Sequence, residues 1–208
     1  QGGGIYTGRA TDFNLSNILI KGNTAEQGGG IYHFDTEAIL TNVAITGNTA
    51  TGTGTGSAFH AYSGSNRLIN VTIAGNTGHA FHNEANAFLD NTILYGGTDG
   101  LGYTAMNSLI EGSTNTANGN LDATDLGLSD VFKDPAIGDY TLSLSSGAVN
   151  AGSNTLFPSL DGTTKDLAAN PRLFGATIDL GAYELQEQPV VIITPDADGV
   201  VYVRPVAT

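Results

Sequence analysis

Apolar residues recur along this chain on a long stride rather than with a helical or simply alternating period. Leu15, Leu40, Leu68 and Leu89 each stand two residues before an asparagine, and Ile20, Ile45, Ile73 and Leu94 stand three after it. Ile18, Val43 and Val71 follow the asparagine directly. In an unbroken strand, positions −2 and +1 would face opposite sides of the sheet. Both are apolar here, so the parity flips at the asparagine. A bend with Asn in the left-handed region produces that flip, because Asn tolerates the region better than most residues.

The asparagines are Asn17, Asn42, Asn70, Asn91 and, in a weaker copy, Asn107, at intervals of 25, 28, 21 and 16 residues. Such periods belong to solenoids in which each repeat is one coil. Leucine-rich repeats share the period, but their leucine framework and helical segments are missing. Stacking the bends predicts a structural ladder of asparagine amides along the solenoid axis.

A further strand per coil is expected around Ile5, Ile31, Phe59 and Phe81, which lie 12, 11, 11 and 10 residues before their asparagines. The preceding "GGG", at 2–4 and 28–30, suits a backbone stacked at ~4.8 Å with no room for side chains. "GNT" after the last strand of each coil reads as another corner, with Gly and Asn chosen for their permitted dihedrals. The segments 49–56 and 60–66 read as surface loops. We therefore expect an all-β solenoid: regular coils over 1–97, irregular terminal coils covering the open end over 98–185, and a linker with a short β tail toward a neighbouring module over 186–208.

Composition narrows the function. Asp and Glu outnumber Lys and Arg 20 to 7, a net charge of −13, which argues against nucleic-acid partners and anionic membranes. Cysteine is absent, so thiolate and disulfide chemistry is excluded. No apolar run approaches the ~20 residues of a membrane-spanning helix, and no membrane insertion is expected. The chain opens on Gln1, from which an internal position in a longer protein is expected.

Candidate chemistry is sparse. Tyr6, Tyr32, His60 and His82 are the outward neighbours of the inward Ile and Phe residues and should stack on one outer face, with His33 beside them. A strip of flat polar rings can bind a glycan, form a cross-strand ladder, or offer His60 and His82 to a metal for which no third ligand is evident. Asp122, Asp125 and Asp130, and Asp196 with Asp198, form acidic segments that are weak candidates for Ca²⁺ but lack the EF-hand spacing. No cofactor is required by any of these motifs. Glycoside hydrolysis needs two carboxyl groups about 5 to 9.5 Å apart, and Asp12, Asp35, Glu37, Glu84 and Asp90 do not pair in the repeat. Arg9, Lys21 and Arg67 occupy unrelated coil positions, which disfavours a lyase base. We assign no catalytic residue.

"GGGIY" together with "IKGN", "ITGN" and "IAGN" resembles the paired motifs of polymorphic outer-membrane-protein repeats. "DYTLSLSSGAVNAGSN" at 139–154, followed by "DLAANPRLFGATIDLGAYE" at 166–184, resembles the C-terminal part of choice-of-anchor Q domain proteins of bacterial surfaces. That resemblance implies a pectin-lyase-like right-handed parallel β-helix, secretion and cell-surface display. The expectation is a non-catalytic module serving as stalk, adhesive surface or head-to-tail assembly unit, with neighbouring modules, copies of itself or a glycan as partners. The alternative is a carbohydrate-active enzyme, a lyase or hydrolase, or a glycan-binding module.

Overall fold

The structure, a computed structural model, describes residues 1–8, 13–34, 37–53, 55–113 and 115–187. The tail from 188 onward, including Asp196 and Asp198, lies outside the described residues.

The chain is an all-β parallel solenoid. One sheet stacks Ile5–Gly8, Ile31–Phe34, Phe59–Ala61, Phe81–Asn83 and Thr98–Gly100, all in parallel. Its register aligns Ile5, Ile31, Phe59 and Phe81, and the last three are buried in the core. The other large sheet contains Phe13–Lys21, Ala38–Thr46, Ser65–Ile69, Asn86–Asp90 and Thr104–Met106, together with Thr72–Ala74, Ile93–Leu94, Leu109–Ile110 and Leu121–Asp122. Phe13–Lys21 and Ala38–Thr46 run through the asparagine corner, whereas later coils break there into two strands.

All five repeat asparagines have left-handed backbones, with φ of 56°, 54°, 52°, 50° and 45° from Asn17 to Asn107. Leu40, Val43 and Ile45 are consequently all buried around one corner. The glycine run is required sterically. A Cβ on Gly30 would lie 2.5 Å from the Ala58 carbonyl oxygen and 2.7 Å from Ile45 Cγ2.

"GNT" works differently from the dihedral reading. Gly22, Gly47 and Gly75 carry the positive φ, while Asn23, Asn48 and Asn76 build a continuous amide ladder. Asn48 Oδ1 accepts from Asn23 Nδ2 at 3.0 Å, and Asn48 Nδ2 donates to Asn76 Oδ1 at 3.1 Å. Asn48 Nδ2 also donates to the carbonyls of Ile20 and Thr46.

Past Val71 the inward position beside the main corner turns polar. Thr92, Ser108 and Asn120 are buried there and pass hydrogen bonds from coil to coil: Thr92 N donates to Ser108 Oγ, and Ser108 N to Asn120 Oδ1, each at 3.0 Å. This polar substitution is why the apolar register fades after Asn107.

Residues 123–185 pack along the flank of the coils, where the sequence led us to expect a cover over the open end. A helical turn, Leu128–Val131, leads into the antiparallel hairpin Phe132–Asp134 and Asp139–Leu142. Phe132, Tyr140 and Leu142 join Ala74, Ile93 and Leu109 in a second core on the outer side of the sheet. The chain then follows the asparagine corner. Apolar outward residues and corner amides still holding free donors both call for a partner, and the flank segment supplies it.

A buried polar knot shapes that segment. Asp166, Arg172, Asp179 and Glu184 are all at most 3% exposed. Each carboxylate accepts two backbone N–H groups: Asp166 from Asn170 and Glu184, Asp179 from Asn150 and Leu185, Glu184 from Phe174 and Asp179. Arg172 Nη2 donates to the Asp179 carbonyl at 2.7 Å and lies 3.5 Å from Glu184 Oε2. Irregular buried backbone needs such partners, since it has no sheet ladder to satisfy its amides.

Candidate functional site

The structural-ladder asparagines bond to one another only in pairs. Asn42 Nδ2 donates to Asn17 Oδ1 at 3.2 Å and Asn91 Nδ2 to Asn70 Oδ1 at 3.1 Å. The remaining capacity goes to the flank segment. Asn42 donates to the Lys165 carbonyl, Asn70 to those of Asp179 and Gly181, Asn91 to that of Ser153, and Asn107 to that of Ala151. The amide ladder expected at this corner is thus replaced in part by a docking rail.

The four rings do form a column. Tyr6 and Tyr32 stack at 5.6 Å, Tyr32 and His60 at 4.8 Å, His60 and His82 at 4.4 Å, with interplanar angles of 5°, 10° and 11°. Tyr6 is 56% exposed, but Tyr32, His60 and His82 are at 5%, 2% and 7%. A sugar binds an aromatic face, and both faces of Tyr32 and of His60 are taken by neighbouring rings. The column is therefore an internal ladder, open only at Tyr6. Gly28 lies against it: a Cβ there would be 2.7 Å from Tyr32 Cβ. His33 does not sit beside the column. It is fully buried, stacked on Phe13 and Phe59, with Nδ1 at 2.6 Å from Thr7 Oγ1.

At its far end the column becomes a cluster of titratable groups that sequence reasoning did not assemble. His82 Nε2 lies 3.1 Å from Glu84 Oε1, and His82 Nδ1 lies 3.5 Å from Asp99 Oδ2. Asp99 is the residue after His82 in the stacked register, and it also meets His79. The signal available was the His82-x-Glu84 spacing, which sets Glu84 just past the end of the strand that carries His82. Burial, reinforced by the stacked His82 and offset by Glu84, pushes His60 down to about 4. The Gly100 N–H holds the Asp99 carboxyl below its usual range, with His82 and His79 adding to the effect.

On the outer face of the other sheet lies a groove of about 420 Å³. Ile39, Phe88 and Met106 line it and are each about 40% exposed, alongside Glu37, Arg67 and Asp90. Arg67 Nε donates to Asp90 Oδ2 at 2.7 Å, and the Asp90 side chain is only 6% exposed. Next to Asp90 in register is Ile69, buried against Phe157 and Ile178 of the flank segment.

The acidic loop does not converge on a cation. Asp122 Oδ1 accepts from Thr124 N and Oγ1, and Asp130 Oδ2 from Gly127 N. Asp125 is exposed, and among the described residues no metal-sized group includes these three. Among them, too, no helix is long and apolar enough to cross a membrane.

Comparison with protein-family models, curated proteins and solved structures finds no match for this chain.

Proposed function

We propose that this chain is a non-catalytic β-solenoid module of a secreted bacterial surface protein, with the Ile39–Phe88–Met106 groove as its adhesive surface. The observation that carries this reading is the state of Asp90. It is the carboxylate on the groove floor, and it is buried and held by Arg67 at 2.7 Å. Glu37, the other acid lining the groove, is offset from it by two coils and four register positions, so their Cα atoms lie roughly 16 Å apart. The two carboxyls of a glycosidase flank one sugar at about 5 to 9.5 Å. A groove with exposed apolar side chains around a half-exposed Arg67 is instead suited to holding a partner, a glycan among them. Surface display rests on the resemblance of 139–154 and 166–184 to choice-of-anchor Q proteins.

A glycan array read alongside a reducing-sugar assay tests this. We expect no product release, and any binding detected should be lost in Phe88→Ala and Arg67→Ala. Sugar release abolished by Asp90→Asn would reverse the reading in favour of an enzyme.

A further inference from the structure

We propose that His60, His82 and Glu84 form a Zn²⁺ site with an open fourth position, at the end of the ring column and separate from the groove. The two histidines are in register on adjacent strands, and Glu84, in the bend just past the second strand, turns its carboxylate to His82 Nε2. One donor atom from each lies within 4.8 Å of the others. Two ligands about 2.0 to 2.1 Å from a tetrahedral zinc lie roughly 3.3 Å apart. The His82 Nε2 to Glu84 Oε1 separation of 3.1 Å already fits that span. His60 must tilt its ring edge toward them, a closure of about 1.5 Å, and Glu84, nearly half exposed, can follow.

The surroundings of His82 suit a cation. It lies between two carboxylates, Glu84 at Nε2 and Asp99 at Nδ1, and its Nδ1 is buried with no hydrogen-bond partner. With Zn²⁺ on Nε2, the ring proton sits on Nδ1 facing Asp99. This is the carboxylate–histidine–zinc arrangement that orients ligating imidazoles.

His60 enters as a neutral ligand, as metal binding requires. Its Nδ1 now accepts the Gly56 N–H at 3.3 Å. Ligation through Nε2 moves the ring proton to Nδ1, gives up that long contact and turns the ring out of its parallel stack between Tyr32 and His82, which are the local costs. Two imidazole nitrogens and one carboxylate oxygen suit Zn²⁺ rather than Ca²⁺, which takes six to eight oxygens.

The test uses the full chain, stripped with EDTA and titrated with ZnCl₂ by calorimetry, with bound metal counted by elemental analysis. Zinc uptake of one ion per chain with a rise in Tm is expected. Glu84→Gln alters an exposed side chain, so the metal-free Tm should hold while zinc affinity falls by about tenfold or more. His82→Ala should lose the site, Asp125→Asn should leave it intact, and CaCl₂ should not compete. Co²⁺ should give the visible absorption of a tetrahedral centre in the unmodified chain and not in Glu84→Gln. No stoichiometric uptake, or uptake unchanged by both Glu84→Gln and His82→Ala, overturns the proposal.

Discussion

Asn42 Nδ2 donates to the carbonyl of Lys165 at 2.8 Å, a closer contact than the 3.2 Å it makes to Asn17 in the adjoining coil. The corner asparagine has two tasks. Its left-handed backbone turns the coil, and its amide receives a segment 123 residues further along the chain.

Comparing the two asparagine stacks gives an ordered prediction. Asn42→Gly keeps the left-handed corner without strain and loses two donated bonds, and Oδ1 has no partner to lose, so a destabilisation of about 1 to 2 kcal/mol is expected. Asn48→Ala removes donors to Ile20, Thr46 and Asn76 and the acceptor for Asn23. Leaving those groups unpaired in a buried place should cost about 3 kcal/mol or more. Urea midpoints check the order, and an Asn42→Gly midpoint below that of Asn48→Ala would contradict it.

His60 makes the fold acid-sensitive. Its folded-state pKa of about 4 lies below the ordinary 6.5, so the unfolded chain binds the proton first. Stability contributed by the neutral ring is full above pH 6.5 and is lost as pH falls toward 4, on the order of 3 kcal/mol. His60→Phe keeps a ring in the column and removes the titration. The slope of unfolding free energy against pH between 6.5 and 4 should flatten in that variant, and an unchanged slope would show that other groups set it.

Glu184 acts in the opposite sense. Burial first, then the Asp179 charge, raises its carboxyl to about 8, with Arg172 pulling back. The folded state therefore retains a proton that the unfolded chain releases above about 4.5. Stability present below that pH is lost as pH rises through 8. Glu184→Gln should abolish this decline. It should also destabilise the chain at every pH by on the order of 2 kcal/mol, since an amide nitrogen then faces the N–H of Phe174 or Asp179. Denaturant titrations at several pH values separate the two effects. A Glu184→Gln curve parallel to the unmodified one would refute the assignment.

The solenoid was legible because the parity flip between Leu40 and Val43 leaves a left-handed corner at Asn42 as its simplest cause. The role of Asn48 was not. A residue that repeats in register can be selected for backbone conformation or for side-chain bonding, and Gly47 beside it already supplied the conformation. For the rings, the strand register predicted which side chains meet. Their burial was hidden because their faces are closed by one another and by glycines whose importance lies in what they lack. Glu84 escaped notice because a donor two residues from His82 matters only once His60 is known to stack on the same ring. The spacing of Asp166, Arg172, Asp179 and Glu184 follows no strand or helix period, so nothing in the pattern announced that they meet.

The docking rail also divides assembly of the molecule into two stages. Contacts between neighbouring coils join residues about 12 to 28 positions apart, as at Ser108 with Asn120 and Asn48 with Asn76. Such loops close readily, so coils can be laid down in chain order. Asn42 and Asn70 must wait for partners 123 and 111 residues downstream. Until Lys165 and Gly181 arrive, the corner remains a wettable edge, and a segment made much later closes coils already laid down.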